Sequence, residues 1–106
     1  MNIQTFTYQL QIEEKGYSFQ CLNWNSVYSQ GETLDECIKN AIEVTELMLE
    51  EYIEGNLSKD QQPRLTKKKT IRPNQFQLTF DLDMGTYINK VDLRYSPYRS
   101  KQLITH

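Results

Sequence analysis

Apolar residues recur at every second position in two segments, residues 6–12 and 76–82, that lie far apart in the sequence. A period of two places these side chains on one side of an extended backbone, so each segment predicts a strand with one buried face. The alternating residues are Phe6, Tyr8, Leu10 and Ile12 in the first segment and Phe76, Leu78, Phe80 and Leu82 in the second. Because isolated strands are not stable in water, the residues between the two segments must complete a sheet and cover it.

A turn and a second alternating segment follow the first strand. Residues 13–16 are polar and end in Gly16, which suits a loop with positive φ. The apolar residues that alternate after this turn are Tyr17, Phe19 and Cys21. The pattern predicts an antiparallel hairpin, then a turn at residues 23–25 and a short third strand at residues 26–29.

A long helix is predicted from Thr33 to about Glu54. Thr33 is followed three residues later by Glu36, which is the spacing of a capping box, and Gly55 is a natural C-terminal stop. One side of this helix is apolar and is expected to face the sheet. The opposite side carries Glu36, Asn40, Glu43, Glu50, Glu51 and Glu54, with Leu47 among them and Val44 at the border.

The last third of the chain is predicted to return to the sheet. Residues 56–74 are polar and contain two prolines and a run of three lysines, which indicates an exposed connection. Residues 87–95 form a predicted final strand with Tyr87, Val91, Leu93 and Tyr95 on one face. The expected fold class is α+β, a single β-sheet in the order β-β-β-α-β with one further strand and one helix across it. Residues 1–83 are expected to form the domain, and residues 84–106 an extra strand and tail.

The order and spacing of these segments resemble the HicB antitoxin family. The resemblance rests on the Glu-Glu-Lys-Gly-Tyr turn after the first strand, and on the Ser-Gln-Gly-Glu-Thr-Leu-Asp-Glu segment that opens a helix containing Asn40-Ala41. It extends through the proline-containing connection to Asp83 and so covers about three quarters of the chain. Residues 22–28 depart from the family, which usually has a proline- and glycine-rich turn before the helix.

The resemblance implies a partial RNase H-like fold without catalytic carboxylates. It also implies a partner of the HicA type, a small basic mRNA-cleaving toxin whose active surface would be masked. Many HicB proteins carry a C-terminal DNA-binding module, but residues 84–106 contain no pattern for its helices. We therefore expect an antitoxin-like, non-enzymatic binding protein; an alternative is a phage or mobile-element inhibitor of another nucleic-acid-processing enzyme.

The charge of the chain is divided between its halves. Ten acidic and two basic residues precede Gly55, and four acidic and ten basic residues come after it, so the halves carry about -8 and +6 although the whole carries -2. Such asymmetry can steer a charged partner. The predicted partner-binding residues are Glu43, Val44, Leu47, Glu50, Glu51, Glu54 and Trp24. A solvated helix face and a tryptophan in the core are the plainer interpretations of the same residues.

Two other interpretations concern the basic half. It could contact nucleic acid through phosphates and stacking, or it could meet the acidic half of another copy in a homodimer or higher oligomer. The residues predicted for the nucleic-acid alternative are Lys67, Lys68, Lys69, Arg72, Arg94, Tyr95, Tyr98 and Arg99.

Composition argues against catalysis, cofactors and membrane insertion. His106 is the only histidine and is terminal, so Ser-His or Cys-His chemistry has no suitable base, and zinc lacks ligands. Asp81, Asp83 and Asp92 offer a magnesium alternative, but solvent-facing strand carboxylates explain them more simply. No apolar run is long enough for a bilayer, residues 1–11 do not form a signal sequence, and the two cysteines suit a reducing compartment. We expect a cytoplasmic protein.

Overall fold

A computed structural model describes residues 2–96 of the chain. Five strands and one long helix follow one another in the order β1 Ile3–Glu13, β2 Gly16–Cys21, β3 Tyr28–Gly31, α1 Leu34–Ile53, β4 Gln75–Asp81 and β5 Thr86–Arg94. A short 3-10 helix, Lys59–Gln61, lies between α1 and β4. The fold is therefore α+β, as predicted.

All five strands belong to one antiparallel sheet in the order β3-β2-β1-β4-β5. The two alternating segments, which are far apart in the sequence, form adjacent strands of the sheet, since Phe6 on β1 lies opposite Leu78 on β4. β5 pairs with β4 from Arg94 to Thr86, so the predicted extra strand shares the sheet of the preceding residues. Most of the predicted tail, residues 97–106, lies outside the described residues. The third strand begins at Tyr28, two residues later than expected.

The helix α1 begins and ends at the predicted residues, and it has one of the two hydrogen bonds of the predicted capping box. The Thr33 hydroxyl accepts a hydrogen bond from the Glu36 backbone N–H at 3.1 Å, which satisfies one of the free donors of the first turn. At the other end, Gly55 has a φ of 75°, and its N–H donates to the Tyr52 carbonyl. This left-handed position ends the helix without the steric cost of a Cβ.

The core lies between α1 and one face of the sheet, and aromatic rings fill its centre. Tyr8 stacks on Phe76 with ring centroids 4.8 Å apart, and Phe19 meets both rings edge-on. The buried Tyr8 hydroxyl lies 2.7 Å from the Thr45 hydroxyl, which in turn donates to the Ala41 carbonyl at 2.6 Å. This chain of hydrogen bonds ties the central strand to the middle of the helix.

Trp24 belongs to this core and not to an exposed surface. Its side chain is 1% exposed, packs against Phe6 and Tyr52, and donates its indole N–H to the Gln61 carbonyl at 2.6 Å. The sequence-based assignment of Trp24 to the partner-binding surface is wrong for this reason. Its ring closes the end of the core beneath the connection that leaves α1.

The connection after α1 crosses the second face of the sheet, which corrects the expectation that β4 has only one dry face. On that face the Gln77 side chain donates to the Lys69 carbonyl at 2.7 Å and to the Thr7 hydroxyl at 3.1 Å, and it is 2% exposed. The Arg64 N–H donates to the Asn23 carbonyl. Residues 64–72, here termed the strap, therefore cover the centre of the sheet with backbone while most of their side chains stay in solvent.

Candidate functional site: an acidic groove beside the helix

An open groove of about 660 Å³ lies between the outer side of α1 and the turn that joins β4 to β5. We call it the acidic groove. Its lining residues are Glu43, Glu46, Leu47, Glu50, Ile53, Glu54, Asp83, Met84 and Gly85.

The helical half of the groove follows from the spacing of its residues. Positions 43, 46, 47, 50, 53 and 54 are three or four residues apart, so they form one stripe along the last three turns of α1. Glu43 and Glu50 are exposed on this stripe, and neither has a cationic partner within 4 Å among residues 2–96. The repulsion between these carboxylates is therefore not neutralised within the described part of the chain.

The turn that forms the other wall is held close to the helix. The Gly85 N–H donates to the Asp81 carbonyl at 2.8 Å, and the residue has a φ of 69°. The positive φ favours glycine, and a Cβ at Gly85 would lie 2.9 Å from the terminal Cδ1 atom of Ile53, so another residue here would also require the Ile53 side chain to move. The Glu46 carboxylate accepts a hydrogen bond from the Tyr87 N–H at 2.9 Å and so fixes the first residues of β5 against α1.

Three apolar side chains line the groove together with the carboxylates, and we call them its floor and the carboxylates its rim. Leu47 is 64% exposed, Ile53 47% and Met84 71%, and the three come from α1 and from the turn. Single exposed apolar residues are ordinary, whereas three of them in one groove with several carboxylates have the mixed apolar and charged composition of an interface.

The structure brings together most of the residues predicted from the helix pattern and adds others. Glu43, Leu47, Glu50 and Glu54 line the groove. Val44 is half-buried against the core, and Glu51 does not line the groove; its carboxylate accepts a hydrogen bond from the Asn56 side chain. Sequence reasoning missed Glu46, Ile53, Asp83, Met84 and Gly85 as members of this site. The packing of the turn at Met84 and Gly85 against the helix is a tertiary contact that no local pattern indicates.

Only three of the eight residues predicted to contact nucleic acid lie together in the structure. Lys67, Lys69 and Arg72 line a polar pocket of about 250 Å³ beneath the strap, on the sheet face opposite α1. Lys68 points elsewhere and pairs with Asp92 at 3.3 Å. The remaining residues are dispersed or not described: Arg94 donates to the Ile71 carbonyl, Tyr95 hydrogen-bonds with Tyr17, and Tyr98 and Arg99 lie outside the described residues.

The two thiols are buried, and burial raises the pKa of Cys21 to about 12 and that of Cys37 to about 11. Within residues 2–96 no three Cys, His, Asp or Glu side chains stand close enough to hold a metal ion. In the same part of the chain no helix is long and apolar enough to cross a membrane. Comparisons with protein-family models, with curated proteins and with solved structures find no match to this chain.

Proposed function

We propose that this protein is a HicB-like antitoxin that binds a small basic protein of the HicA type and masks its active surface. The observation that carries the proposal is the acidic groove, whose lining combines five carboxylates with three exposed apolar side chains. The proposed partner would place lysine or arginine side chains at the rim and an apolar side chain on Leu47 and Met84. Inhibition would be stoichiometric and would need no chemistry from this chain.

The rim and the floor would contribute in different ways. The exposed carboxylates of Glu43 and Glu50, which have no cationic partner within 4 Å among residues 2–96, attract a basic protein over about one Debye length, roughly 8–10 Å at physiological ionic strength, and so raise the association rate. Burial of the floor contributes on the order of 25 cal/mol for each Å² of apolar surface removed from water. Added salt should therefore slow association strongly and change the dissociation rate little.

The test is affinity capture from the native host followed by identification of the captured protein and assay of its RNA cleavage. We expect a small basic ribonuclease in near-equal amount, whose activity falls to zero as this protein is titrated to one equivalent. The variant Glu43→Lys/Glu50→Lys should lose the capture. The matched control Glu14→Lys/Glu32→Lys reverses two exposed carboxylates away from the groove and should retain it.

Two other outcomes distinguish the alternatives. Capture of a different nucleic-acid-processing enzyme by the same groove would replace the antitoxin assignment with that of an inhibitor of that enzyme. Capture of nucleic acid that is abolished by Lys67→Glu/Lys69→Glu, but not by the groove variant, would place the function in the pocket beneath the strap.

A further inference from the structure

The edge strand β5 carries a row of exposed apolar side chains. Val91 is 46% exposed, Leu93 41% and Tyr95 37%. The register places Val91 opposite Leu78 and Leu93 opposite Phe76, so the row lies on the same face of the sheet as the aromatic core. An edge strand with free backbone groups and apolar side chains is a template for another strand.

The two ends of β5 differ in how well they are covered and how regular they are. At its start, Tyr87 is anchored through Glu46 and packs on Phe80 with ring centroids 5.6 Å apart. In the middle, residues 88–90 face the single residue Thr79 of β4, and Asn89 has a φ of 57°. This bulge interrupts regular pairing, so residues 91–94 form the regular segment that remains at the edge, and Tyr95 directly follows it.

We propose that the chain forms a two-fold dimer in which residues 91–95 pair in antiparallel fashion with the same residues of a second copy, centred on Leu93. The sequence of this segment is self-complementary in that register. Asp92 of each copy lies opposite Arg94 of the other, and Val91 lies opposite Tyr95, while the two Leu93 side chains meet at the axis. Opposite charges and aromatic–β-branched pairs both favour such cross-strand neighbours.

The neighbouring registers are less favourable. A dimer centred on Asp92 would place the two Asp92 carboxylates directly opposite each other, and like charges destabilise such a pair. A dimer centred on Val91 would extend the pairing into the bulge at residues 88–90 and would place Leu93 opposite Asn89. The register centred on Leu93 avoids both.

The dimer would also leave the proposed function intact, since the acidic groove lies beside the β4–β5 turn, at the opposite end of β5. The Asp92–Arg94 pairs of the dimer would lie on the sheet face that carries Lys68, which pairs with Asp92 at 3.3 Å. None of these three residues lines the acidic groove. The dimer proposal therefore stands or fails independently of the groove.

Cysteine cross-linking tests the register. In Leu93→Cys the new thiols meet at the axis, so mild oxidation of the full chain should give a covalent dimer; Ile88→Cys, which is equally exposed but lies in the bulge, should stay monomeric. The native thiols are both buried and serve as an internal background. Failure of Leu93→Cys to cross-link faster than Ile88→Cys would overturn the register.

A charge exchange tests the pairing energy. Light scattering should give a mass near twice the 12.6 kDa of one chain for the parent protein. Arg94→Asp should shift the dissociation constant upward by at least about 10-fold, and Asp92→Arg/Arg94→Asp should restore it, because opposite charges face each other again. A monomer at all concentrations, or no rescue by the exchange, contradicts the proposal.

If the protein dimerises only after removal of residues 97–106, those residues and not a second copy occupy the row, and the proposal is likewise wrong.

Discussion

The buried hydrogen bonds between β1 and α1 lead to an asymmetric prediction for two isosteric substitutions. The Thr45 hydroxyl donates to the Ala41 carbonyl, so the Tyr8 hydroxyl must be the donor in the 2.7 Å contact between Tyr8 and Thr45. Thr45→Val removes the acceptor and leaves the Tyr8 O–H buried without a partner. Tyr8→Phe removes only the donor, because Thr45 can still donate to Ala41. We therefore expect Thr45→Val to destabilise the protein more than Tyr8→Phe does.

General hydrogen-bond energetics give the size of each effect. Loss of one net hydrogen bond in Tyr8→Phe should lower the free energy of unfolding by about 1 kcal/mol, whereas the orphaned donor in Thr45→Val should cost about 1–3 kcal/mol. The double variant leaves no orphaned donor, so its cost should be smaller than the sum of the single costs. For a domain of this size, 1 kcal/mol corresponds to roughly 4–8 °C in Tm.

Urea unfolding of the four proteins, followed by the fluorescence of the single Trp24, measures these differences. The expected order of stability is parent, Tyr8→Phe, then Thr45→Val, with a coupling energy of about 1 kcal/mol in the double-mutant cycle. Equal or reversed costs, or strict additivity, would refute the assigned donor and acceptor.

Three further predictions concern close packing and buried groups. Gly31→Ala should destabilise the protein by about 1–3 kcal/mol in urea unfolding, because its Cβ would lie 2.5 Å from the Cys37 backbone nitrogen; an unchanged midpoint would contradict this contact. Trp24→Ala should lower the free energy of unfolding by about 3–5 kcal/mol through loss of the ring and of its hydrogen bond to Gln61; because the variant has no tryptophan, its urea unfolding is followed by circular dichroism, and a loss within about 0.5 kcal/mol, typical of a surface substitution, would argue against burial of Trp24. Cys21 and Cys37 should react with a thiol reagent only on unfolding. Because burial raises both pKa values above the usual 9, the stability that the neutral thiols contribute should be present below pH 9 and fall as pH rises toward about 11, and flat stability over that range would contradict it.

Local patterns predict the elements of this fold well because each element has one regular buried stripe. The alternation around Phe6 and Phe76 and the Thr33 side-chain cap at the start of the helix all have direct counterparts in the structure. The second face of β4 could not be predicted in this way, because Gln75, Gln77 and Thr79 are polar and are buried by the strap. Their burial depends on hydrogen bonds to residues far away in sequence.

In the candidate site, too, one wall follows from a local sequence pattern and the other depends on tertiary contacts. The stripe of Glu43, Leu47 and Glu50 could be predicted from helical spacing alone, since it needs only one element. The opposite wall could not, because it depends on Gly85 approaching Ile53. Trp24 was misplaced because its large amphipathic ring suits both a core and an interface, and only the position of the Gln61 carbonyl separates the two uses.

Titration of the captured basic partner against single-residue variants tests the central claim most directly. Leu47, 64% exposed on the groove floor, and Leu65, 43% exposed on the strap, form a matched pair because neither is buried in the core. Leu47→Lys should raise the Kd by at least about 10-fold, as expected for an apolar residue at the centre of an interface, and Leu65→Lys should leave it unchanged. An unchanged Kd for Leu47→Lys, or equal effects of the two substitutions, would contradict the assignment of the acidic groove as the binding surface.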